Sequence, residues 1–253
     1  MGEPLVRAMQ NLAQACWDWQ YVPEAFRTAR TVVLRKPGKG DYSQAKAWRP
    51  IALLNTLGKI IEAITARYLQ DLAERYNLLP ETQMGARKNR STETALDLLL
   101  SQIRATWQVE GVATVLSMDM SGAFDHVVRE RLIYILRKKG VPEGVIGWIR
   151  SFMTDRSTTM LFDGQESRPR KVAAGIPQGS PISPILFLFY NSELIDICNP
   201  QDVRVQGIGF VDDVNLVAWG ATTRGNCDNL ERLHQRCLEW AGRHGAKFAP
   251  EKP

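Results

Sequence analysis

Between Val203 and Trp219 the sequence reads as two strand-forming runs with only Asp212 and Asp213 between them. Runs joined this tightly turn back on each other as an antiparallel hairpin, which places two acids at its tip. A third β-rich stretch, Val112 to Met120, carries a single charge, Asp119, near its end. If these strands are neighbours, three carboxylates converge in a small volume. Like charges so close repel one another unless a cation compensates. Oxygen-only ligands suit Mg²⁺, which commonly takes one or two carboxylates and fills its shell with phosphates and waters. Two such ions about 3.5–4 Å apart clamp the attacking and leaving oxygens of an in-line phosphoryl transfer. Taken singly the acids say less: Asp-Asp is common in tight turns, and one acid at a strand end is usually just solvated.

The surrounding pattern sets the fold class. Residues 5–19 read as a helix, and Arg30 to Lys36 as a strand entering the turn Pro37-Gly38-Lys39-Gly40. From Asn55 to Arg75, Leu57, Ile60, Ile61, Ile64, Tyr68, Leu69 and Leu72 follow helical spacing. Ser91 is a good N-cap for a helix to about Val109, with Glu93 in its first turn. Helices fit 129–139 and 142–153. Thr158 to Phe162, the Asp163-Gly164 turn and Arg168 to Ala173 read as a second hairpin. Ser180-Pro181 is expected to open an apolar helix to about Ile197. A last amphipathic helix uses Leu230, Leu233, Cys237, Trp240 and Ala241. Strands interleaved with long helices predict an α+β fold, a small antiparallel sheet with helices packed on one face.

Composition narrows the function classes without choosing one. A net charge of +5 and a pI near 9.1 favour a polyanionic partner. The four cysteines (Cys16, Cys198, Cys227, Cys237) form no C-x-x-C pair, and His126, His234 and His244 are too scattered for a zinc site or a triad. The most apolar run, Ile185 to Tyr190, is far too short to span a bilayer, and no signal peptide opens the chain. The expectation is a soluble, intracellular protein with no membrane partner.

The neighbours of the acids are more specific than the acids. Asp119 opens D-M-S-G-A-F-D, ending at Asp125; residues 175–184 read G-I-P-Q-G-S-P-I-S-P; residues 208–213 read I-G-F-V-D-D. With these the sequence resembles reverse transcriptases. Asp119 with Ala123-Phe124-Asp125, Pro177 to Pro181, and Phe210 to Asp213 match the family's first three palm motifs in order. Lys36 to Lys39 and Trp48 to Ile51 resemble its fingers motifs, and Lys247-Phe248 through Glu251-Lys252 its fourth palm motif. Gly85-Ala86-Arg87 to Ser91-Thr92 resembles the segment before the palm in non-LTR, LINE-type retrotransposons, particularly fungal ones. Each piece is weak alone; the ordered set, over about residues 20–253, is specific.

The resemblance implies right-hand polymerase architecture: fingers over 1–110, with an N-terminal helical extension 1–20, and palm over 111–253, with a fingers return segment near 157–176. It implies template-directed addition of deoxynucleotides to a DNA primer on an RNA (or DNA) template, with two Mg²⁺ ions. Asp119 and Asp212 would hold the ions, with Asp213 assisting. Phe124 would pack under the incoming sugar and exclude a 2′-hydroxyl; as a lone Phe it reads equally as core. Gln178 and Gly179 would line the nucleotide pocket, with glycine there because backbone must approach closely. Lys36 or Lys39, together with Arg49, would contact the triphosphate. Lys252 would protonate departing pyrophosphate. Arg87, Lys88 and Arg90 would lie near template phosphates, where contacts carry no sequence information.

The same resemblance places a primer-gripping hairpin and a helical thumb after the fourth motif, and the sequence stops at Pro253. The expectation is a truncated reverse transcriptase domain, weak or inactive alone, with nuclear residence inferred from the element's life cycle. A non-catalytic relic that binds nucleic acid, and an intron-maturase-like polymerase or telomerase subunit, are the alternatives.

Overall fold

The computed structural model describes residues 2–38, 40–201 and 203–249. In chain order its elements are α1 (Glu3–Asp18), α2 (Glu24–Arg27), β1 (Thr28–Arg35), β2 (Trp48–Leu53), α3 (Thr56–Arg75), β3 (Gln83–Met84), α4 (Thr92–Gln108) and β4 (Val112–Asp119). There follow α5 (Arg129–Lys138), α6 (Glu143–Met153), β5 (Ser157–Phe162), β6 (Gln165–Glu166), β7 (Arg170–Lys171), α7 (Ser183–Ile197), β8 (Val205–Phe210), β9 (Asp213–Gly220) and α8 (Thr223–His244). This is an α+β chain in two compact units, one of Met1–Tyr68 with Ile133–Ser183, the other of Leu69–Leu132 with Pro184–Pro253. The sequence division was at 110, with a return segment near 157–176; in the compact units residues 69–110 lie with the second, where β3 and α4 pack on its sheet.

The first unit holds a five-stranded sheet of order β2-β1-β5-β6, with β7 also paired to β5. Strand β1 runs antiparallel to β2, from Arg30↔Leu53 to Arg35↔Trp48, and parallel to β5. Sequence reading has no strand at 48–53, where Pro50 argues against one; β2 is tolerated because it lies at a sheet edge. The expected hairpin turns at Asp163 (φ 49°) and Gly164 (φ 75°), the paired positive values of a type I′ turn. Its return arm splits into β6 and β7 around Pro169, which has no N–H for the ladder. The core here is α6, which buries Val145, Ile146, Trp148, Ile149, Phe152 and Met153. Trp17 of α1 donates its indole N–H to Thr65 Oγ1 at 3.2 Å and meets the Tyr68 ring edge-on.

The second unit holds a four-stranded sheet of order β3-β8-β9-β4. Strand β9 is antiparallel to both neighbours, and the short β3 is parallel to β8. Gly207 and Gly209 of β8 let the chain around the end of α7 approach: an added Cβ would stand 2.3 Å from Cys198 Cβ and 2.6 Å from Ile195 Cδ1. Asn226 of α8 donates to the Val112 carbonyl at 2.8 Å and so ties that helix to β4. Helix α4 packs along β8, β9 and β4, and its Ser91 cap accepts from the Thr94 N–H as expected. Helix α7 starts at Ser183, two residues after the expected first-turn Pro181, and the Ser180 hydroxyl accepts the Ile182 N–H at 3.3 Å while donating to Glu62. Among the described residues no helix is long and apolar enough to cross a membrane.

The close approach at β8 makes a stability prediction. Gly207→Ala should destabilise the protein by about 1–3 kcal/mol, because backbone and a buried residue must shift. Gly144→Ala, with nothing within 4 Å, should be neutral or stabilise α6 by about 0.5–1 kcal/mol. Denaturant midpoints of the two variants check this pair.

Candidate active site

The site is built from the ends of β4, β8 and β9. In the β4–β9 ladder Asp119 stands directly opposite Asp213. Opposed residues of an antiparallel pair lie about 4.5–5.5 Å apart at Cα and project on one face. Phe210 closes the β8–β9 hairpin against Asp213, so the turn is Val211-Asp212 and Asp213 already belongs to the strand. That corrects the expected turn by one residue and makes Asp213, rather than Asp212, the register partner of Asp119. Asp212 remains adjacent: its carbonyl accepts the Met120 N–H at 3.3 Å. Two residues back along the ladder, on the same face, the pair is neutral, with Ser117 Oγ donating to Asn215 Oδ1 at 2.6 Å.

Like charges directly opposed across a ladder are unfavourable, and this pair lines a cleft of about 960 Å³ together with Glu93 and Phe210. Among the described residues no three His, Cys, Asp or Glu side chains form a ready-made ion cage. The carboxylates at the strand ends are oxygen donors, the kind Mg²⁺ takes together with waters and phosphate oxygens.

The turn itself is strained. Val211 has φ 53°, a left-handed value costly for a β-branched side chain, on the order of 1–3 kcal/mol. Beside the acids, Gly122 (φ 58°) opens the loop carrying Phe124 and accepts the Asp125 and His126 N–H groups. The Phe124 ring is half-buried against Phe187 of α7, centroids 5.3 Å apart. Residues 247–249 run alongside: Ser121 N–H donates to Lys247 O at 2.8 Å and Ala249 N–H to Asp119 O at 2.7 Å. Lys252 of the same motif, like Lys39, lies outside the described residues.

Other expected residues fall in the first unit. The Gln178 carbonyl accepts the Ala52 N–H at 2.7 Å. Gly179 (φ 118°) packs so closely on β2 that a Cβ would meet the Ala52 carbonyl oxygen at 2.6 Å. Ser180 donates its hydroxyl to Glu62 of α3, which sequence reasoning missed although an acid on an otherwise apolar helix stripe was a signal. Burial pushes the Glu62 carboxyl up, and burial also pushes the neighbouring Arg156 guanidinium down to about 10. Lys36 is half-buried at the end of β1, and Arg49 is exposed on β2 opposite Leu34.

The basic run 87–90 divides. Arg87 is buried, its guanidinium forked onto Glu74 (2.6 and 2.9 Å) and also donating to the Pro80 and Gln83 carbonyls. Four hydrogen bonds to internal acceptors, together with its burial, turn it inward and away from direct phosphate contact. Arg90 donates to the Glu81 carbonyl and keeps partial exposure; Lys88 is exposed.

The family described as reverse transcriptase (RNA-dependent DNA polymerase) matches residues 34–253. The chain belongs to the reverse transcriptase family. Its relatives are polymerases of non-LTR retrotransposons. It is 31% identical over 93% of its length to a probable RNA-directed DNA polymerase from transposon BS of Drosophila melanogaster. It is 24% identical over 97% of its length to the RNA-directed DNA polymerase from mobile element jockey of the same species. The chain spans 27% of each of these relatives. In fold it is similar to telomerase from Candida albicans in complex with a fragment of telomeric RNA (TM-score 0.63, 12% identity, 90% of this chain and 43% of that one). Apo telomerase from Candida tropicalis gives TM-score 0.63 at 10% identity, over 95% of this chain and 47% of that one.

Within this reverse transcriptase chain the Glu74–Arg87 pair sets a pH dependence. The hydrogen bond from Arg87 holds the Glu74 carboxyl below its ordinary range. A depressed carboxyl stabilises the fold above its unfolded value, about 4.3, and that stability is lost as pH falls through the lower folded value. Glu74→Gln should cost about 1.5–3 kcal/mol at pH 7 and flatten the acid limb of the stability curve. Urea unfolding at several pH values measures both.

Proposed function

We propose that this chain is the polymerising domain of a retrotransposon protein, adding deoxynucleotides to a primer 3′-end on an RNA template. The observation that carries the reading is the Asp119↔Asp213 register with Asp212 adjacent in the turn. Phosphoryl transfer needs positioning and charge neutralisation more than a covalent nucleophile, and carboxylates that line a cleft together serve that need. Two Mg²⁺ ions, when bound, supply the neutralisation; Asp119 and Asp212 are the residues to hold them, with Asp213 assisting. In this reading the unit with the four-stranded sheet acts as palm and the other as fingers.

The remaining roles are assigned by motif and supported by placement. Lys36 (or Lys39) and Arg49 bind the triphosphate, and Gln178 and Gly179 line the nucleotide pocket. The tight seat of Gly179 on β2 supports this, since it gives the pocket loop a rigid floor. Phe124, fixed against Phe187, excludes a 2′-hydroxyl. Lys88 and Arg90 face template phosphates, and Arg87 braces their loop. Lys252 protonates pyrophosphate as it leaves.

Single-nucleotide incorporation on a primed RNA template tests the reading. Asp212→Asn should lower incorporation by about 10³-fold or more while thermal unfolding stays close to wild type; retained incorporation would sink the carboxylate assignment. Phe124→Val should relax discrimination against ribonucleotides by about 10–100-fold, measured as the ratio of kcat/KM for the two sugars. An unchanged ratio would remove Phe124 from the gate.

A further inference from the structure

Two of the groups that hold the strained Val211-Asp212 turn, Met84 and Asn191, lie outside the motifs matched in the sequence. A valine at φ 53° persists only where its surroundings over-determine it. Three contacts do so. The Val211 N–H donates to the Met84 carbonyl of β3 at 3.3 Å. A Val211 methyl fills the space left by Gly85, where an added Cβ would stand 2.7 Å from it. The Val211 carbonyl accepts from Asn191 Nδ2 at 2.9 Å.

Asn191 lies on α7, within an apolar helix, and is fully buried. Its own oxygen accepts from Gln83 Nε2 at 2.5 Å, and that nitrogen also reaches the Leu188 carbonyl at 2.8 Å. Gln83 is fully buried on β3, one residue before Met84. A carboxamide is the side chain that accepts on one side and donates on the other. With an apolar residue at 191, the Val211 carbonyl and the Gln83 amide would each lose a partner in a site with little water to replace it.

We propose that Asn191, oriented by Gln83, is a positioning residue: it holds the Val211 carbonyl and so sets where Asp212 and Asp213 stand relative to Asp119. The proposal rests on the reading of these acids as the polymerase carboxylates. Its contact falls on the peptide group joining Val211 to Asp212, so a change at 191 is transmitted to the acid through one covalent unit. Misplacement by a fraction of an ångström is costly where the chemistry depends on geometry.

The test combines single-nucleotide kinetics with amide hydrogen exchange on the whole chain. Asn191→Ala should lower kcat by about 10–100-fold with KM for the deoxynucleotide within about twofold. Exchange at residues 211–213 should quicken by about tenfold or more while residues 112–118 keep wild-type protection. Glycine takes left-handed backbone without strain, so Val211→Gly makes Asn191 dispensable. The double variant Asn191→Ala/Val211→Gly should then have kcat within about threefold of Val211→Gly alone. Wild-type kcat and turn exchange in Asn191→Ala, or a loss that Val211→Gly leaves in full, would overturn the positioning role. Should Asn191→Ala fail to fold, Asn191→Ser, which keeps a donor hydroxyl, is measured against the same criteria. Asp212→Asn separates the two readings. If it incorporates normally, the carboxylate reading falls and this proposal with it; if it is inactive while Asn191→Ala has normal kcat, only the positioning role falls.

Discussion

The β4–β9 ladder opposes one carboxylate to another, and much of the second unit's design follows from tolerating that contact. Eight consecutive residue pairs, from Val112↔Gly220 to Asp119↔Asp213, bring the acids together at the strand ends. Because side chains alternate along a strand, a slip of one residue would send the two acids to opposite faces. The register is therefore anchored from several sides: Asn226 of α8 holds the start of β4, and β8 pairs with β9 along its length. The opposed acids line a cleft rather than the core, where water screens their repulsion.

Strain at the hairpin tip belongs to the same economy. A two-residue connection is short enough to deliver Asp212 and Asp213 together, but it forces one residue into left-handed backbone, and here that residue is a valine. Its methyls are useful for packing against Gly85, and its backbone is held by β3 and α7. Stability is thereby concentrated around a conformation the isolated sequence disfavours. In the first unit the Pro177–Ser180 loop is treated in a comparable way, pinned to β2 through Gln178 and Gly179 and to α3 through Ser180 and Glu62. In both places a functional motif sits on backbone held by polar groups outside the motif.

This is why the motifs were legible and their supports were not. Asp119, Asp212 and Asp213 stand out because acids interrupt β-rich runs, and the helix start at Ser91 follows capping chemistry. The edge strand at Trp48–Leu53 was hidden by Pro50, whose tolerance depends on which neighbour the strand acquires. Gln83 and Arg87 carry no local signal at all. Arg87 reads as one of three basic residues in a loop, and only the arrival of Glu74 and two carbonyls turns it inward. Asn191 left a faint trace, a carboxamide inside an apolar run, but its partner Gln83 is 108 residues away.

Sequence by itself determined the long helices, the antiparallel hairpin with its acids, and membership of a family whose motifs occur in order. Those properties are set by periodicity, turn chemistry and residue identity over short spans, where each residue's neighbours are known. Tertiary structure decided which acid faces Asp119, which basic residue is buried, and what holds Val211 in left-handed backbone. These depend on contacts between residues far apart in the chain, and their energies arise only when packing removes water and leaves each polar group a single available partner.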